Sequence, residues 1–151
     1  MKKILGLVVS LTIISGVCAG VLAYVDSITK EPIKATAEKN REAAKKAVLC
    51  GEEGYTAEGT CKDGYGGDIT LMVGFKKDKK TVISYKVLAA SETPGLGMKL
   101  KTPEFAGQFA GKDGRALKVK KDGGEIEAIT SATITSRAVC RAIADAQSKL
   151  K

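Results

Sequence analysis

The sequence predicts an α+β domain, an antiparallel sheet covered by helices, attached to a single N-terminal transmembrane helix. Three features indicate this architecture: an uncharged apolar run at residues 4–25, two apolar and β-branched runs joined by a lysine-rich turn, and a final segment with helical apolar spacing. The chain has 151 residues, which is the size of one ordinary domain. We therefore divide it into a transmembrane anchor at 1–25, a helical connector at 26–50 and a folded domain at 51–151.

Residues 4–25 are long enough to cross a membrane. These 22 residues carry no charge, and at ~1.5 Å per residue they span roughly 33 Å as a helix. A cleaved signal peptide is the alternative, with Lys2 and Lys3 as its basic start, but the run exceeds the usual ~7–15 apolar residues of such signals. We place residues 26–151 on the extracytoplasmic side of the cell membrane, because Asp26 directly follows the span and long segments cross largely regardless of charge.

The connector and the first strands follow from composition and periodicity. Residues 33–49 are rich in helix formers with interleaved charges, which predicts an exposed helix, and Pro32 is expected to mark a break or the first turn of that helix. Glycines then surround a short predicted strand at 55–60. Residues 69–75 and 81–88 are apolar or β-branched and predict a β-hairpin closed by the Lys/Asp tract between them.

The last third of the chain combines strand and helix signals. Residues 116–120 and 125–129 predict two further strands, with a glycine-containing turn at 121–124 between them. The final segment has a helical period and predicts an amphipathic helix. Its apolar residues fall on one stripe: Ile134, Ala138, Val139, Ala142, Ile143, Ala146 and Leu150.

Composition excludes much catalytic chemistry. The chain has no His and no Trp, so imidazole acid–base catalysis, Ser-His-Asp and Cys-His mechanisms and His-ligated metals are excluded. The four cysteines form no CxxC motif and no cluster at metal-ligand spacing, so we expect no metal site. Two states of the cysteines stay open: a Cys50–Cys61 disulfide in an oxidising compartment, or three unpaired thiols with Cys140 buried on the last helix.

The basic charge does not indicate a nucleic-acid partner. Of the 25 Lys and Arg residues, 23 follow the apolar run, and the same part of the chain contains 17 Asp and Glu residues. These charges are spread along the segment, and the basic tract at 76–80 is typical of a solvated turn. An external domain would rarely meet nucleic acid, so we predict no nucleic-acid binding.

The first motif that indicates a ligand is Ser-Glu-Thr-Pro-Gly-Leu-Gly at residues 91–97. Proline followed by glycine suits the two central positions of a type II turn. Gly95 and Gly97 leave the backbone open to a flat ligand, while Glu92 and Thr93 offer polar atoms at its edge. The alternative is that this segment is only a tight turn after a strand.

The second motif is a hydroxyl-rich segment at 127–137 that leads into the final helix. Hydroxyl residues at a helix start are ordinary N-caps, which is the alternative explanation. Five of the seven residues at 130–136 are Ser or Thr, however, and this is more than one cap requires. A helix N-terminus also binds phosphate, and a phosphate esterified to Thr133 would have Arg137 one helical turn away.

Together the two motifs resemble the FMN-binding domain family, and within it the G subunits of Rnf ion-translocating electron-transport complexes and the related C subunits of sodium-pumping NADH:quinone oxidoreductases. The resemblance includes residues 29–33, 91–97 and 130–139, and so extends over nearly the whole chain. Two positions depart from the usual family pattern. Ser131 stands where the family usually has glycine, so a residue with a Cβ would adopt a positive φ if the backbone conformation of the family is kept. Glu127 stands where the family usually has aspartate.

The resemblance implies a cofactor and the way it is attached. FMN would be held covalently through a phosphoester to Thr133, where a separate flavin transferase would place it from FAD in the presence of Mg²⁺. The other residues expected to contact FMN are Glu92, Thr93, Gly95, Leu96, Gly97, Thr130, Ser131, Ala132, Thr135 and Arg137.

The resemblance also implies a role and partners. The chain would be an electron relay, without turnover alone, in a membrane-bound oxidoreductase that couples electron transfer between ferredoxin and NAD⁺ to Na⁺ or H⁺ movement. Its partners would be Rnf-type membrane subunits, contacted by the small residues of the anchor, and iron–sulfur subunits. Two alternatives stay open: a stand-alone membrane-tethered flavoprotein that feeds an extracytoplasmic reductase, and a non-redox ectodomain.

Overall fold

The computed structural model describes residues 2–150. Its main elements are helix α1 (Lys2–Val48), strands β1 (Gly54–Cys61), β2 (Ile69–Lys76) and β3 (Val82–Ala90), short helix α2 (Pro103–Ala106) and helix α3 (Thr133–Ser148). Single 3₁₀ turns occupy Gly97–Lys101, Gly107–Phe109 and Lys120–Asp122. This arrangement confirms the predicted α+β class.

Helix α1 is continuous over 47 residues. The predicted break or helix start at Pro32 is wrong, because Pro32 lies inside α1. An interior proline removes one backbone hydrogen bond at a cost of ~3 kcal/mol, and the helix-forming residues on both sides of it outweigh that cost. By length and composition, the apolar part of α1 is sufficient to cross a membrane, and none of that part is buried.

Two compact units divide the chain, Met1–Lys39 and Asn40–Lys151. The last turns of α1 therefore belong to the folded domain. Within the domain, Ala44 and Val48 of α1 are buried with Met72 of β2, at 0%, 1% and 3% exposure. This contact covers the part of one sheet face around Met72.

The sheet has three antiparallel strands in the order β1-β2-β3. These strands confirm the predictions at 55–60, 69–75 and 81–88, with bounds that differ by one or two residues. The turn after β2 is closed by Asp78, whose carboxylate accepts the backbone N–H groups of Lys80 at 2.8 Å and Thr81 at 2.9 Å. Hydrogen bonds from the Thr81 hydroxyl and from these N–H groups lower the pKa of Asp78 to about 2.

Helix α3 packs on the other face of the sheet, across β1 and β2. Its predicted stripe is confirmed at five positions that are all 1% exposed or less: Ala138, Val139, Ala142, Ile143 and Ala146. Leu71, Val73 and Phe75 of β2 belong to the same core and are fully buried. Because α3 covers one face of β2 and the end of α1 lies against Met72 and Gly74 on the other, the sequence of β2 is largely apolar instead of strictly alternating.

The two strands predicted at 116–120 and 125–129 are wrong. Only Val119 and Ile126 pair there, in a single parallel bridge, and a 3₁₀ turn lies between them. The backbone of Glu127 is paired with a side chain instead of a strand, because Gln108 accepts its N–H at 2.7 Å and donates to its carbonyl oxygen at 3.3 Å. The apolar residues of this segment are buried and therefore produce the sequence pattern of a strand, although no neighbouring strand pairs with them.

The four cysteines all lie within the described residues and are free thiols. The Cys50–Cys61 disulfide, one of the two alternatives, is therefore not formed. Cys61 is the last of the eight residues of strand β1, and Cys50 precedes the start of that strand. At ~3.3 Å per residue such a strand spans roughly 23 Å, whereas bridged cysteines require Cα atoms within ~7 Å. Cys140 is buried on α3, as the other alternative expected.

Candidate functional site

The two sequence motifs meet at one cavity of about 490 Å³. The segment after β3 forms one wall, and the start of α3 forms another. A loop between β1 and β2 contributes a further residue. The lining residues are Tyr65, Glu92, Thr93, Leu96, Gly97, Ser131, Ala132, Thr133, Ile134 and Thr135. The volume is within the ~300–1,000 Å³ of small-molecule and cofactor sites.

The turn at 93–96 has the predicted type II geometry. The N–H of Leu96 donates to the carbonyl oxygen of Thr93 at 3.2 Å, and Gly95 adopts φ 76°. The chain then enters the 3₁₀ turn Gly97–Lys101, and its Leu100 carbonyl accepts a 2.6 Å hydrogen bond from the buried Tyr85 hydroxyl on β3. This hydrogen bond fixes the turn against the sheet.

Glu92 is a buried carboxylate at the base of the cavity. It is 6% exposed and accepts hydrogen bonds from the Thr135 hydroxyl at 2.9 Å and, more weakly, from the Gly66 N–H at 3.4 Å. A Cβ at Gly97 would lie 2.5 Å from the Glu92 Oε2 atom, so a larger residue at position 97 would displace this carboxylate. Glu92 therefore connects the turn to α3, in addition to lining the cavity.

Helix α3 begins without a side-chain cap. Its N-cap residue is Ala132, which has no side-chain oxygen, and no other side chain caps the helix. Within the hydroxyl-rich segment, Thr135 is bonded to Glu92, and Ser136 accepts from the Ile129 N–H at 2.9 Å. The explanation of these hydroxyls as N-caps is therefore wrong, and the first turn of α3 keeps its positive end directed at the cavity.

Thr133 and Ser131 differ from the buried hydroxyls. Thr133 is the first residue of α3, lines the cavity and is half-buried. Ser131 is exposed and adopts φ 62°, a left-handed conformation that favours glycine. The positive φ expected at this position from the family pattern is therefore present, although the residue is a serine.

Three of the expected site residues do not line the cavity. Gly95 shapes the turn from its exposed side, and Thr130 lines an adjacent groove. The Arg137 guanidinium forms two 2.6 Å hydrogen bonds with the carboxylate of Asp122. This pair lowers the pKa of Asp122 and raises that of Arg137. A phosphate role for Arg137 stays a prediction that requires it to leave Asp122.

Two cavity residues were not identified from the sequence. Tyr65 lies in a glycine-rich segment that indicated only turns, and Ile134 was assigned to the core stripe of α3 although it is 48% exposed. The signal for Tyr65 was an aromatic residue flanked by glycines on both sides. Among residues 2–150, no group of three or more acidic or cysteine side chains could hold a metal ion.

Both motifs lie within a region that matches a known protein family. Residues 64–148 match the FMN-binding domain family. The chain is 32% identical to the G subunit of the ion-translocating oxidoreductase complex of Methanosarcina acetivorans, with 94% of this chain and 92% of that protein aligned. It is 44% identical to the G subunit of the proton-translocating ferredoxin:NAD(+) oxidoreductase complex of Clostridium ljungdahlii over 55% of this chain and 46% of that protein. The chain thus spans less than half the length of the clostridial relative.

A solved structure is similar in fold. The C subunit of the Na(+)-translocating NADH-quinone reductase of Parabacteroides distasonis aligns with a TM-score of 0.51 and 26% identity, over 63% of this chain and 53% of that chain. The family match covers both walls of the cavity, from the Tyr65 loop through α3. The chain therefore belongs to the FMN-binding domain family.

Proposed function

We propose that this chain is the electron-relay subunit of a membrane-bound oxidoreductase that couples electron transfer from ferredoxin to NAD⁺ to ion translocation, and that it carries FMN as a phosphoester of Thr133. The observation that carries this proposal is the position of Thr133 at the uncapped start of α3, on the wall of the cavity. The names of the archaeal and clostridial relatives support the role in a complex.

The start of α3 fits a phosphate group. The first N–H groups of a helix have no intrahelical acceptor, and together with the helix dipole they favour an anion. Ala132 at the N-cap leaves this end free of a competing side-chain oxygen. A phosphate on the Thr133 oxygen would take the place of the missing cap.

The apolar part of the cavity wall fits a flat ring. Leu96 and Ile134 line it and are 42% and 48% exposed, although both are large apolar residues. Exposed aliphatic area costs about 25 cal/mol per Å² relative to burial. A ring placed against Leu96 and Ile134 would bury this area and recover the corresponding free energy. Bound FMN supplies reversible one- and two-electron chemistry, while the residues of the cavity orient it and limit its contact with water.

Attachment and partners follow from what the chain lacks. The sequence has no His, so we propose that a separate flavin transferase forms the phosphoester. We also propose that electrons enter and leave through partner subunits, membrane-embedded and iron–sulfur, because the described cysteines are free and form no cluster. The apolar part of α1 would anchor the chain in the membrane with the FMN domain on the extracytoplasmic side.

Covalent FMN is tested by producing the full chain together with a flavin transferase and comparing it with Thr133→Ala. We expect ultraviolet fluorescence of the wild-type band after denaturing electrophoresis and an intact mass increased by one FMN, both abolished in Thr133→Ala. Thr102→Ala is the matched control, since Thr102 is an exposed threonine that lies outside the cavity and outside both motifs, and it should load normally.

Two results would contradict the proposal. A dark wild-type band despite an active transferase excludes the covalent flavin and leaves noncovalent FMN or a non-redox ectodomain as the alternatives. Fluorescence that persists in Thr133→Ala places the attachment elsewhere. Purification of a loaded chain from its native membrane without any iron–sulfur or multi-span partner would favour a stand-alone flavoprotein over a subunit of a complex.

A further inference from the structure

Tyr65 is an exposed aromatic residue on the wall of the cavity. It lies in the loop between β1 and β2, lines the cavity together with Leu96 and Ile134, and is 71% exposed. An aromatic side chain gains free energy when it is buried. A tyrosine held this far into solvent beside two other exposed apolar residues therefore indicates a binding surface for an apolar ring.

The exposure of Tyr65 is imposed by a constrained backbone. The N–H of the next residue, Gly66, donates to the Glu92 carboxylate at 3.4 Å. A Cβ on Gly66 would collide with the carbonyl oxygen of Ser91, so the loop lies directly against the segment that begins the first motif. Glu92, which also accepts from Thr135, thus connects the Tyr65 loop to the start of α3.

We propose that Tyr65 stacks on the isoalloxazine ring of the flavin, and that Glu92 is the positioning residue that holds the Tyr65 loop at the cavity. The inference rests on the proposed function and adds a wall of the ring site to it. Leu96 and Ile134 would supply aliphatic contacts, and Tyr65 the aromatic face. Offset or edge contacts between aromatic rings are favoured over contacts with aliphatic groups of equal area.

Flavin fluorescence provides a direct test, because a tyrosine in contact with the ring passes an electron to the photoexcited flavin and recovers it, which quenches emission. The fluorescence lifetime of native, loaded full chain in mild detergent is measured for wild type, Tyr65→Leu and Tyr65→Phe. Tyr55→Leu is the control, since Tyr55 is also exposed, at 46%, but lies on β1 outside the cavity with Lys79 over its ring at 5.2 Å.

We expect the fraction of flavin with a long, unquenched fluorescence lifetime to rise about twofold to tenfold in Tyr65→Leu. This factor is the change in the equilibrium between stacked and unstacked flavin that corresponds to the loss of one aromatic ring pair. Tyr65→Phe should also be unquenched but keep the flavin absorption spectrum of the wild type, because the ring contact is retained. Tyr55→Leu should match the wild type. An unquenched wild type, or a Tyr65→Leu lifetime equal to that of the wild type at full loading, would overturn the proposal.

The role of Glu92 is tested with Glu92→Gln, alone and combined with Tyr65→Leu. If Glu92 acts through Tyr65, Glu92→Gln raises the unquenched fraction and the double variant equals Tyr65→Leu alone, whereas independent effects add. Additive effects would reject the positioning role. If the wild-type chain carries no covalent flavin, the proposed function fails, and titration with free riboflavin then tests Tyr65 separately. Tyr65→Leu should bind it about twofold to tenfold more weakly, and equal binding would reject stacking.

Discussion

The hydrogen bond from Thr135 to Glu92 provides the sharpest test of how the cavity is held together. The Thr135 hydroxyl belongs to a residue that is 1% exposed and donates at 2.9 Å to a carboxylate that is 6% exposed. Thr135→Val keeps the β-branched shape and the helix propensity, so it removes the donor with little change in volume. What remains is a buried carboxylate without its strongest partner.

The expected cost is set by that carboxylate. A hydrogen bond to a charged group contributes ~1.5–3 kcal/mol, and a buried acceptor left unpaired loses its solvation as well. Because the gain from burying the valine methyl partly offsets this loss, we expect Thr135→Val to lower the free energy of unfolding by about 1.5–3 kcal/mol. Thr133→Val, two residues earlier and without a bond to Glu92, should change it by less than about 0.5 kcal/mol.

The assay is urea unfolding of the full chain in mild detergent, followed by circular dichroism at constant detergent concentration. A double-mutant cycle with Glu92→Gln should return a coupling energy of ~0.5–3 kcal/mol between the two side chains. If Thr135→Val and Thr133→Val unfold at the same urea concentration with the same slope, the hydrogen bond from Thr135 to Glu92 does not stabilise the domain.

Two further predictions concern Ser131 and the cysteines. Ser131→Gly should raise the melting temperature by a few degrees. The relief of ~1–3 kcal/mol of strain in the left-handed backbone conformation exceeds the ~0.4–1 kcal/mol by which glycine stabilises the unfolded state through its greater entropy. An unchanged or lower melting temperature would show that the φ of 62° at Ser131 stores no strain. Burial raises the pKa of Cys140 to about 12, so at pH 8 this thiol is protonated as well as inaccessible. Maleimide at pH 8 should therefore modify the exposed Cys50 and spare Cys140 until the domain unfolds, and mass mapping that finds equal modification would contradict this.

The sequence predicted those parts of the molecule that depend on neighbouring residues. The hairpin of β2 and β3, the apolar stripe of α3 and the Pro94-Gly95 turn all follow from short-range periodicity or from the φ preferences of single residues. The uncharged run near the N-terminus likewise needs no partner to be recognised. The strand predictions at 116–120 and 125–129 failed because an apolar segment looks the same whether it pairs with a strand or packs singly against a core.

The site shows the same division. Thr133 and the turn at 93–97 were predicted from the motifs and the family resemblance, and Thr133, Thr93, Leu96 and Gly97 line the cavity. The positive φ at Ser131 was anticipated from the family pattern. The roles of Glu92 and Gln108 could not, since their partners are distant in sequence: Thr135 is 43 residues from Glu92, and Glu127 is 19 residues from Gln108. Tyr65 became a site residue only when its loop was placed beside Glu92.

By itself, then, the sequence determined the hairpin of β2 and β3, the apolar face of α3, the apolar character of the N-terminal part of α1 and the family, because each is encoded in local order and composition. Only the tertiary structure decided that Thr135 and Ser136 are hydrogen-bonded within the fold and that Ser131, Thr133 and Thr135 line the cavity. The physical reason is that the burial of a hydroxyl and its hydrogen-bond partner depend on which distant residues the folded chain places next to it. Thr135 and Ser136 found internal acceptors or donors, and Thr133, at the start of α3, was left facing the cavity.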